Sequence, residues 1–416
     1  MMKAAILRLT CAALLAFGLA LPASAQNAKK KGSAAGKAAL KDGLPPDARK
    51  LELGDRAPDF KLLGIDGKTY TLADFKAAPV LMVVFLSNHC PYSHAAETRL
   101  LPLAREFKDK GMAVVAINPN SPEGLSVTEL GYSKYNDSYE EMKLYAKEVG
   151  FPFPYLYDGD TQVTAKAYGC LATPHVFLFD RERKLRYVGR VDDSRFEDLK
   201  SVTSHDARNA VVEMLAGKPV TVANTIVMGC STKWNSKRDD VAKADERWKA
   251  VPVELATIDA AGVAALAKNS SNRLRLFNVW ATWCAPCVAE FPGLVSLARR
   301  FGNRDFEFIT IGMDDPKMQA QAKKFLENQH ASPPNRLQRL LKAEGREAVN
   351  FIYTGASTDA LVQALDPQWP GPLPHTVLIA PGGKILYRHN GPVDTDDLKK
   401  RIVGLLGPYY TPGQTK

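Results

Sequence analysis

Two stretches of this chain, far apart in sequence, repeat one another around a cysteine. Setting Cys90 against Cys284 aligns LAREF at 103–107 with LARRF at 297–301, each beginning thirteen residues past its cysteine. A β-rich run follows at the same distance in both copies, AVVAIN at 113–118 and EFITIG at 307–312. Before each cysteine stands a predominantly apolar run, VLMVVFL at 80–86 and LRLFNVW at 274–280, the second carrying Arg275 and Asn278. Apolarity without alternation marks strands covered on both faces, as in the middle of a parallel sheet. Downstream, TPHVFLFDRERKLRYVG at 173–189 and LPHTVLIAPGGKILYRHNG at 373–391 both read as Pro-His, a buried strand, a polar turn and a second strand. The repeated unit is therefore strand, cysteine at a helix start, helix, strand, helix, X-Pro, hairpin. This predicts an α/β chain of two tandem domains, each a central mixed sheet flanked by helices.

Length agrees, since 416 residues exceed one ordinary core. The domains are predicted at 51–216 and 251–410, with 217–250 as the linker, where GKPV and GCSTKWNSKRDD interrupt the pattern and carry Cys230. Residues 26–50 hold seven Lys/Arg against two Asp, half of the formal net charge of +10. With almost no large apolar side chain, that segment reads as a solvated basic tail, disordered, with contact to an anionic membrane surface as the other reading. No basic motif interleaved with aromatics follows, which argues against nucleic-acid binding. In residues 1–25, Lys3 and Arg8 precede an apolar run from Leu9 to Leu21 and then Ala23-Ser24-Ala25. This is the pattern of a secretory signal peptide, with an uncleaved N-terminal anchor as the alternative. Cys11 leaves with it. The mature chain then keeps Cys90, Cys170, Cys230, Cys284 and Cys287, in a periplasm where thiols pair unless actively kept reduced.

FNVWATWCAPCVAEFP at 277–292 puts two cysteines directly after an apolar strand. Cys284 stands where the helix begins, and Pro286 suits its first turn. Free N–H groups and the partial positive charge of a helix start favour a thiolate, so Cys284 is the expected attacking sulfur. Cys287, three residues on, reaches the same face and resolves the mixed disulfide. The competing readings are a plain structural disulfide and half of a zinc ribbon. A ribbon needs a second close ligand pair, and the other cysteines stand alone, so no metal is assigned. The stretch resembles the extracytoplasmic thioredoxins of the TlpA/ResA kind over roughly 251–410. That resemblance implies a cis-proline role for Pro374, shaping the substrate edge, against the plainer reading of a loop proline. It also implies that Glu290 tunes or relays the thiol protons, against the plainer reading of a solvated helix glutamate. A half-buried carboxylate with a raised pKa suits the work. Cytoplasmic thioredoxins place an aspartate where this chain has Asn278, an amide that cannot accept a proton, which leaves Glu290 as the nearest base. Trp280 and Trp283 read as packing and substrate-face residues. No Gly-rich phosphate loop or flavin fingerprint accompanies them, so no cofactor is assigned and electrons must come from another protein dithiol.

The first copy departs from the second at one position. SNHCPYSH at 87–94 carries Ser93 where a second thiol would stand, so Cys90 cannot close a bridge of that spacing. LGDRAPDFKLLGIDGKTYTLADFK at 53–76 and the Asn-His-Cys-Pro-Tyr run resemble the redoxin or peroxiredoxin-like (AhpC/TSA) branch. Peroxidases of that superfamily use Pro-x-x-x-Thr/Ser-x-x-Cys; Ser87 fits the hydroxyl position, whereas Val83 stands where the proline belongs. His89 and His94 flank Cys90 and would assist a thiolate if charged. Pro174 is this half's cis-proline candidate. Cys170, four residues before it, and Cys230, in a Cys-Ser-x-Lys-Trp context, are the two candidate resolving thiols; either one otherwise reads as a buried, inert cysteine. A third route has the CAPC pair reducing Cys90 itself.

Together these readings predict a thioredoxin-like, periplasmic thiol–disulfide oxidoreductase working through Cys284/Cys287, with the Cys90 module as coupled acceptor or substrate module. Its partners are protein thiols and disulfides and a membrane or periplasmic dithiol donor. The alternatives are a thiol peroxidase centred on Cys90, with antioxidant activity and the C-terminal domain as its reductant, or a copper-binding or redox adaptor. The copper reading rests on the resemblance of CPxxH to the CPxxC of Sco-type proteins and on His175 after Pro174; His375 occupies the same place in the CAPC copy, which weakens it.

Overall fold

A computed structural model describes residues 43–409. The signal-like segment with Cys11, and most of the basic 26–50 stretch, lie outside the described residues.

The first half is built on strands β1 (Lys61–Gly64), β2 (Thr69–Thr71), β3 (Val80–Phe85), β4 (Met112–Asn118), β5 (Tyr155–Tyr157), β6 (Ala172–Thr173), β7 (His175–Phe179) and β8 (Leu185–Gly189). A short β9 (Cys230–Ser231) follows. The main sheet runs β2-β1-β5-β4-β3-β7-β8. Its centre, β5-β4-β3, is parallel, and antiparallel strands flank it on both sides. The second half repeats the plan with β10 (Leu255–Ile258), β11 (Leu274–Trp280), β12 (Phe306–Gly312), β13 (Asn350–Tyr353), β14 (His375–Ile379) and β15 (Ile385–Asn390), in the order β10-β13-β12-β11-β14-β15.

The predominantly apolar runs occupy the central strands β3 and β11, every residue of which is buried. Side chains alternate across a strand, so each strand feeds two cores. Val80, Met82 and Val84 enter one cluster; Leu81, Val83 and Phe85 enter the opposite one, together with Trp234. In β11, Leu276 and Trp280 face a cluster that includes both CAPC cysteines, while Phe277 and Val279 face the other side. Trp280 packs 5.1 Å from the Phe291 ring and 4.9 Å from that of Phe325, measured between centroids. Losing one such aromatic leaves a cavity that typically costs about 3–5 kcal/mol.

Each cysteine strand leads into a long helix, Pro91–Phe107 after Cys90 and Ala285–Arg300 after Cys284. A proline in the first turn of each gives up no hydrogen bond, because those N–H groups have no partner inside a helix. The halves touch at the far end of the second helix. Arg300 donates from Nη2 to the Ser133 carbonyl (2.7 Å), Arg304 donates from Nη1 to the Gly131 carbonyl (2.9 Å), and the Tyr132 ring lies 4.4 Å from that of Tyr409. A Cβ on Gly131 would stand 2.5 Å from the Arg300 carbonyl oxygen, so this approach requires glycine. A 16-residue helix is about 24 Å long. Cys284 therefore sits at the end of its helix remote from this contact.

Candidate functional site

Cys284 occupies the N-cap of its helix in an extended conformation (φ −87°, ψ 95°) and is bonded to Cys287. The Cys287 backbone N–H points at Cys284 Sγ (3.4 Å), one of the helix-start donors that stabilise a thiolate when the bridge opens. Cys287 is fully buried and Cys284 nearly so, while Trp283 beside them is 69% exposed. Leu373–Pro374 is cis. Glu290 lies one helical turn past Cys287, buried, with Asn278 Nδ2 donating to Oε1 (2.9 Å) and the Val393 N–H to Oε2 (2.7 Å). Burial outweighs these two donors and raises the Glu290 pKa above the usual carboxylate range. Asn278 is thus a donor to the carboxylate and not a base, and its own Oδ1 is buried without a partner. Behind Pro374, His375 stacks on Trp369 (4.7 Å) and bonds Asn390 Oδ1 through Nδ1 (2.7 Å), with Asp366 3.4 Å from Nε2.

In the first half Cys90 is also an N-cap, fully buried, and its thiol donates to the Thr173 carbonyl (3.0 Å). Thr173–Pro174 is cis. Ser87 Oγ is 2.7 Å from Thr173 Oγ1, so the hydroxyl serves the Pro174 loop. Burial opposes ionisation of Cys90, yet a hydrogen bond from the Cys230 side chain, the charge of His89 and the Ser93 N–H together bring its pKa down to about 6. His89 can carry that charge because Asp137 takes its Nδ1 at 2.5 Å, offsetting the burial of both groups. Asp137 also accepts from the Asn88 N–H (2.7 Å), Asn120 Nδ2 (2.8 Å) and Asn118 Nδ2 (3.3 Å). His94, the other flanking imidazole, bonds the Asn88 carbonyl through Nε2 (2.7 Å), and burial lowers its pKa, so it is the neutral one.

The two candidate resolving thiols part company. Cys170 sits in the core cluster behind the sheet, its Sγ 3.4 Å from both the Ala172 carbonyl and Thr232 Oγ1, and burial pushes its pKa up. Cys230 is brought to Cys90, on β9, which pairs antiparallel with β6 so that Cys230 stands opposite Thr173. The 217–250 stretch is built into the molecule: Trp234 is buried in the first core, and Arg238–Lys249 is a helix. For the copper reading, His94 Nε2 is held by the Asn88 carbonyl, whereas His175 Nε2 is buried without a hydrogen-bond partner. His175 accepts the Leu171 N–H at Nδ1 (3.3 Å), burial lowers its pKa to about 3, and among the described residues no group of three or more His, Cys, Asp or Glu side chains converges.

Two buried acids of this half lay beyond the sequence reading. Asp137 is 48 residues from His89, in a loop without periodicity. Glu97, on the Cys90 helix, takes the Tyr145 hydroxyl at 2.5 Å and leaves Oε1 without a partner; burial raises its pKa to about 8. Its place one residue past the Glu290 offset was the available signal.

Two mixed sheets, each with a cysteine capping a central helix beside a cis X-Pro strand start, define the thioredoxin-like class. Within it, residues 53–188 match the AhpC/TSA family and residues 251–403 the Redoxin family, so the chain is a tandem thioredoxin-like protein carrying one segment of each. A thiol:disulfide interchange protein DsbE homolog from Paracoccus denitrificans is 29% identical over 130 residues, covering 31% of this chain and 58% of that protein. Thiol-disulfide oxidoreductase ResA of Bacillus thuringiensis is 25% identical over 157 residues, 37% of this chain and 80% of the relative. A hypothetical protein of Sinorhizobium meliloti, known from its crystal structure, is 40% identical over 45% of this chain and 97% of its own, with a TM-score of 0.40. The chain thus spans little more than half the length of the DsbE homolog.

Proposed function

We propose that this chain is an exported thiol–disulfide oxidoreductase acting through the Cys284/Cys287 dithiol, with the Cys90 module as a coupled redox acceptor. The observation that carries this reading is the Cys284–Cys287 bridge at a helix start, beside the cis Leu373–Pro374 edge. Among the described residues no strand pairs with the chain just before Pro374; the Pro372 carbonyl takes the Trp369 indole N–H (2.8 Å), which leaves the Leu373 backbone for an extended client segment, and Trp283 is exposed. In the dithiol form, the Cys284 thiolate attacks a client disulfide and expels one client thiolate. Cys287 then loses its proton, attacks Cys284 Sγ, releases the second client thiolate and restores the bridge. The client gains two electrons and two protons; a membrane or periplasmic dithiol protein restores the pair. Export rests on the signal-like residues 1–25, which precede the described residues.

We assign the Cys287 proton to Glu290, which lies one turn along the same helix. Its raised pKa means that the carboxylate base appears only as pH climbs past the ordinary carboxylate range. Glu290→Gln removes the base and keeps one acceptor oxygen, enough for the Val393 N–H, with its NH2 group left facing Asn278. Resolution of a preformed Cys284 mixed disulfide is then expected to slow about a hundredfold near neutrality and to lose its rise with pH over the lower range. An unchanged stopped-flow pH profile would remove Glu290 from the mechanism.

The direct test is reduction of insulin disulfides by the intact, prereduced chain. Stoichiometric reduction with appearance of the Cys284–Cys287 bridge is expected; no reduction would contradict the reading. A second reading, peroxide reduction at Cys90, is favoured by the low pKa of that thiol. Peroxide consumption that survives Cys284→Ser for one turnover and vanishes in Cys90→Ser is its expected signature.

A further inference from the structure

The edge that is open before Pro374 is filled before Pro174, and the filling strand comes from this chain. β9 lies along β6 with Cys230 opposite Thr173, and a Cβ on Gly229 would stand 2.3 Å from the Thr173 carbonyl oxygen. The residues after β9 hold this strap in place. The Thr232 N–H donates to the Leu171 carbonyl (3.1 Å), the Lys233 N–H to Asn120 Oδ1 (2.9 Å) and the Asn235 N–H to Gln162 Oε1 (2.8 Å). Lys233 pairs with Glu129, and Trp234 is buried with Nε1 donating to the Gly43 carbonyl (3.2 Å). The strap sets Cys230 opposite Thr173, the residue whose carbonyl accepts the Cys90 thiol (3.0 Å), and both cysteines are free thiols. Cys90 has no exposed surface, whereas Cys230 is partly exposed.

We propose that Cys90 and Cys230 form a second reversible dithiol–disulfide couple, closed across the Pro174 strand edge by the 229–234 strap and entered from solution at Cys230. The proposal deepens the thiol–disulfide reading above and rests on it. A disulfide RSSR reaches the partly exposed Cys230 first: Cys230 passes its proton to the neighbouring Cys90 thiolate and attacks as a thiolate, one RS⁻ leaves and takes that proton back from Cys90 as RSH, and Cys230–S–S–R remains. The Cys90 thiolate then attacks Cys230 Sγ, forms the Cys90–Cys230 bond and expels the second RS⁻. Two thiols are oxidised and one disulfide is reduced. Reduction retraces the path, with an external thiolate attacking Cys230 and Cys90 departing. Departure is easy for Cys90 because a low-pKa thiolate is the better leaving group. While the strap is seated, this half offers no free edge to an extended client, so its partners are small disulfides or a thiol that reaches Cys230.

The test uses the full chain, reduced and then equilibrated in graded mixtures of reduced and oxidised glutathione, alkylated, digested and mapped by mass spectrometry. A Cys90–Cys230 linked peptide that rises and falls with the glutathione ratio is expected. Cys90→Ser should instead accumulate glutathione on Cys230, at least about tenfold more than Cys230→Ser accumulates on Cys90, because only one of the two sulfurs is accessible. A Cys90–Cys170 link, or single alkylation of Cys90 and Cys230 at every ratio, overturns the couple. Equal adduct yields in the two variants overturn the entry point. The Cys284–Cys287 peptide in the same digests separates the two proposals: if it cycles and the other pair does not, only the second couple fails, and if it never cycles the oxidoreductase reading fails.

Discussion

Cys284→Ser is expected to lower disulfide reduction by the intact chain at least about a thousandfold, the scale on which loss of a nucleophile acts in other covalent catalysts. The reason is local. Cys284 is the cysteine at the helix N-cap, where the Cys287 N–H faces its sulfur, and a serine oxygen there would neither ionise near neutrality nor exchange with a disulfide. Cys287→Ser behaves differently. It leaves the attack intact and removes only the release, so the Cys284–client adduct accumulates within a single turnover. The same trap probes transfer between the halves. The interdomain contact lies at Arg300, the opposite end of the helix from Cys284, so any Cys284 adduct with the Cys90 module should form between chains and scale with protein concentration. Loss of the insulin reaction in Cys287→Ser without a trapped adduct, or an unaffected Cys284→Ser, would place the chemistry elsewhere.

Asp137→Ala should be the most damaging single truncation in the first half. It leaves His89, Asn88, Asn118 and Asn120 facing an empty, fully buried space, and breaking a buried ion pair by removing one partner costs about 3–5 kcal/mol. Hydrogen exchange of the β3 and β4 amides, which sit under this network, measures the loss apart from the second half. The effect on Cys90 follows by charge. Without Asp137, burial makes His89 neutral, and Cys90 loses the cation that helps to hold its pKa near 6, so its ionisation moves to higher pH. The sign for stability is fixed by the same values. A thiol whose folded pKa is depressed contributes stability above its unfolded pKa, near 8.5, and loses it as pH falls through about 6. The variant should lose that acid-side dependence. Unchanged exchange protection together with an unchanged ultraviolet thiolate titration would show that the network does not support Cys90.

The parts of the fold that were legible in the sequence are those with a sustained apolar signature. VLMVVFL and LRLFNVW announce two-sided burial, and they are the central strands. A cysteine after such a strand, followed by proline within two residues, marks a helix start, and Cys90 and Cys284 are N-caps. What stayed hidden is long-range and short in extent. β9 is two residues long, too short for any periodicity, and its partner β6 precedes it by some sixty residues. The burial of Asp137 depends on asparagines at 88, 118 and 120 that converge only in the folded chain. The burial of Glu97 arises only in the folded chain, where the Tyr145 hydroxyl bonds its carboxyl.

Alkylation of Cys284 in the prereduced, intact chain, followed by peptide mass spectrometry across a pH series, tests the central claim most directly. A midpoint clearly below the free-cysteine value of about 8.5, with Cys287 unreactive in the same samples, is the predicted result. A Cys284 midpoint at or above that value would contradict the account.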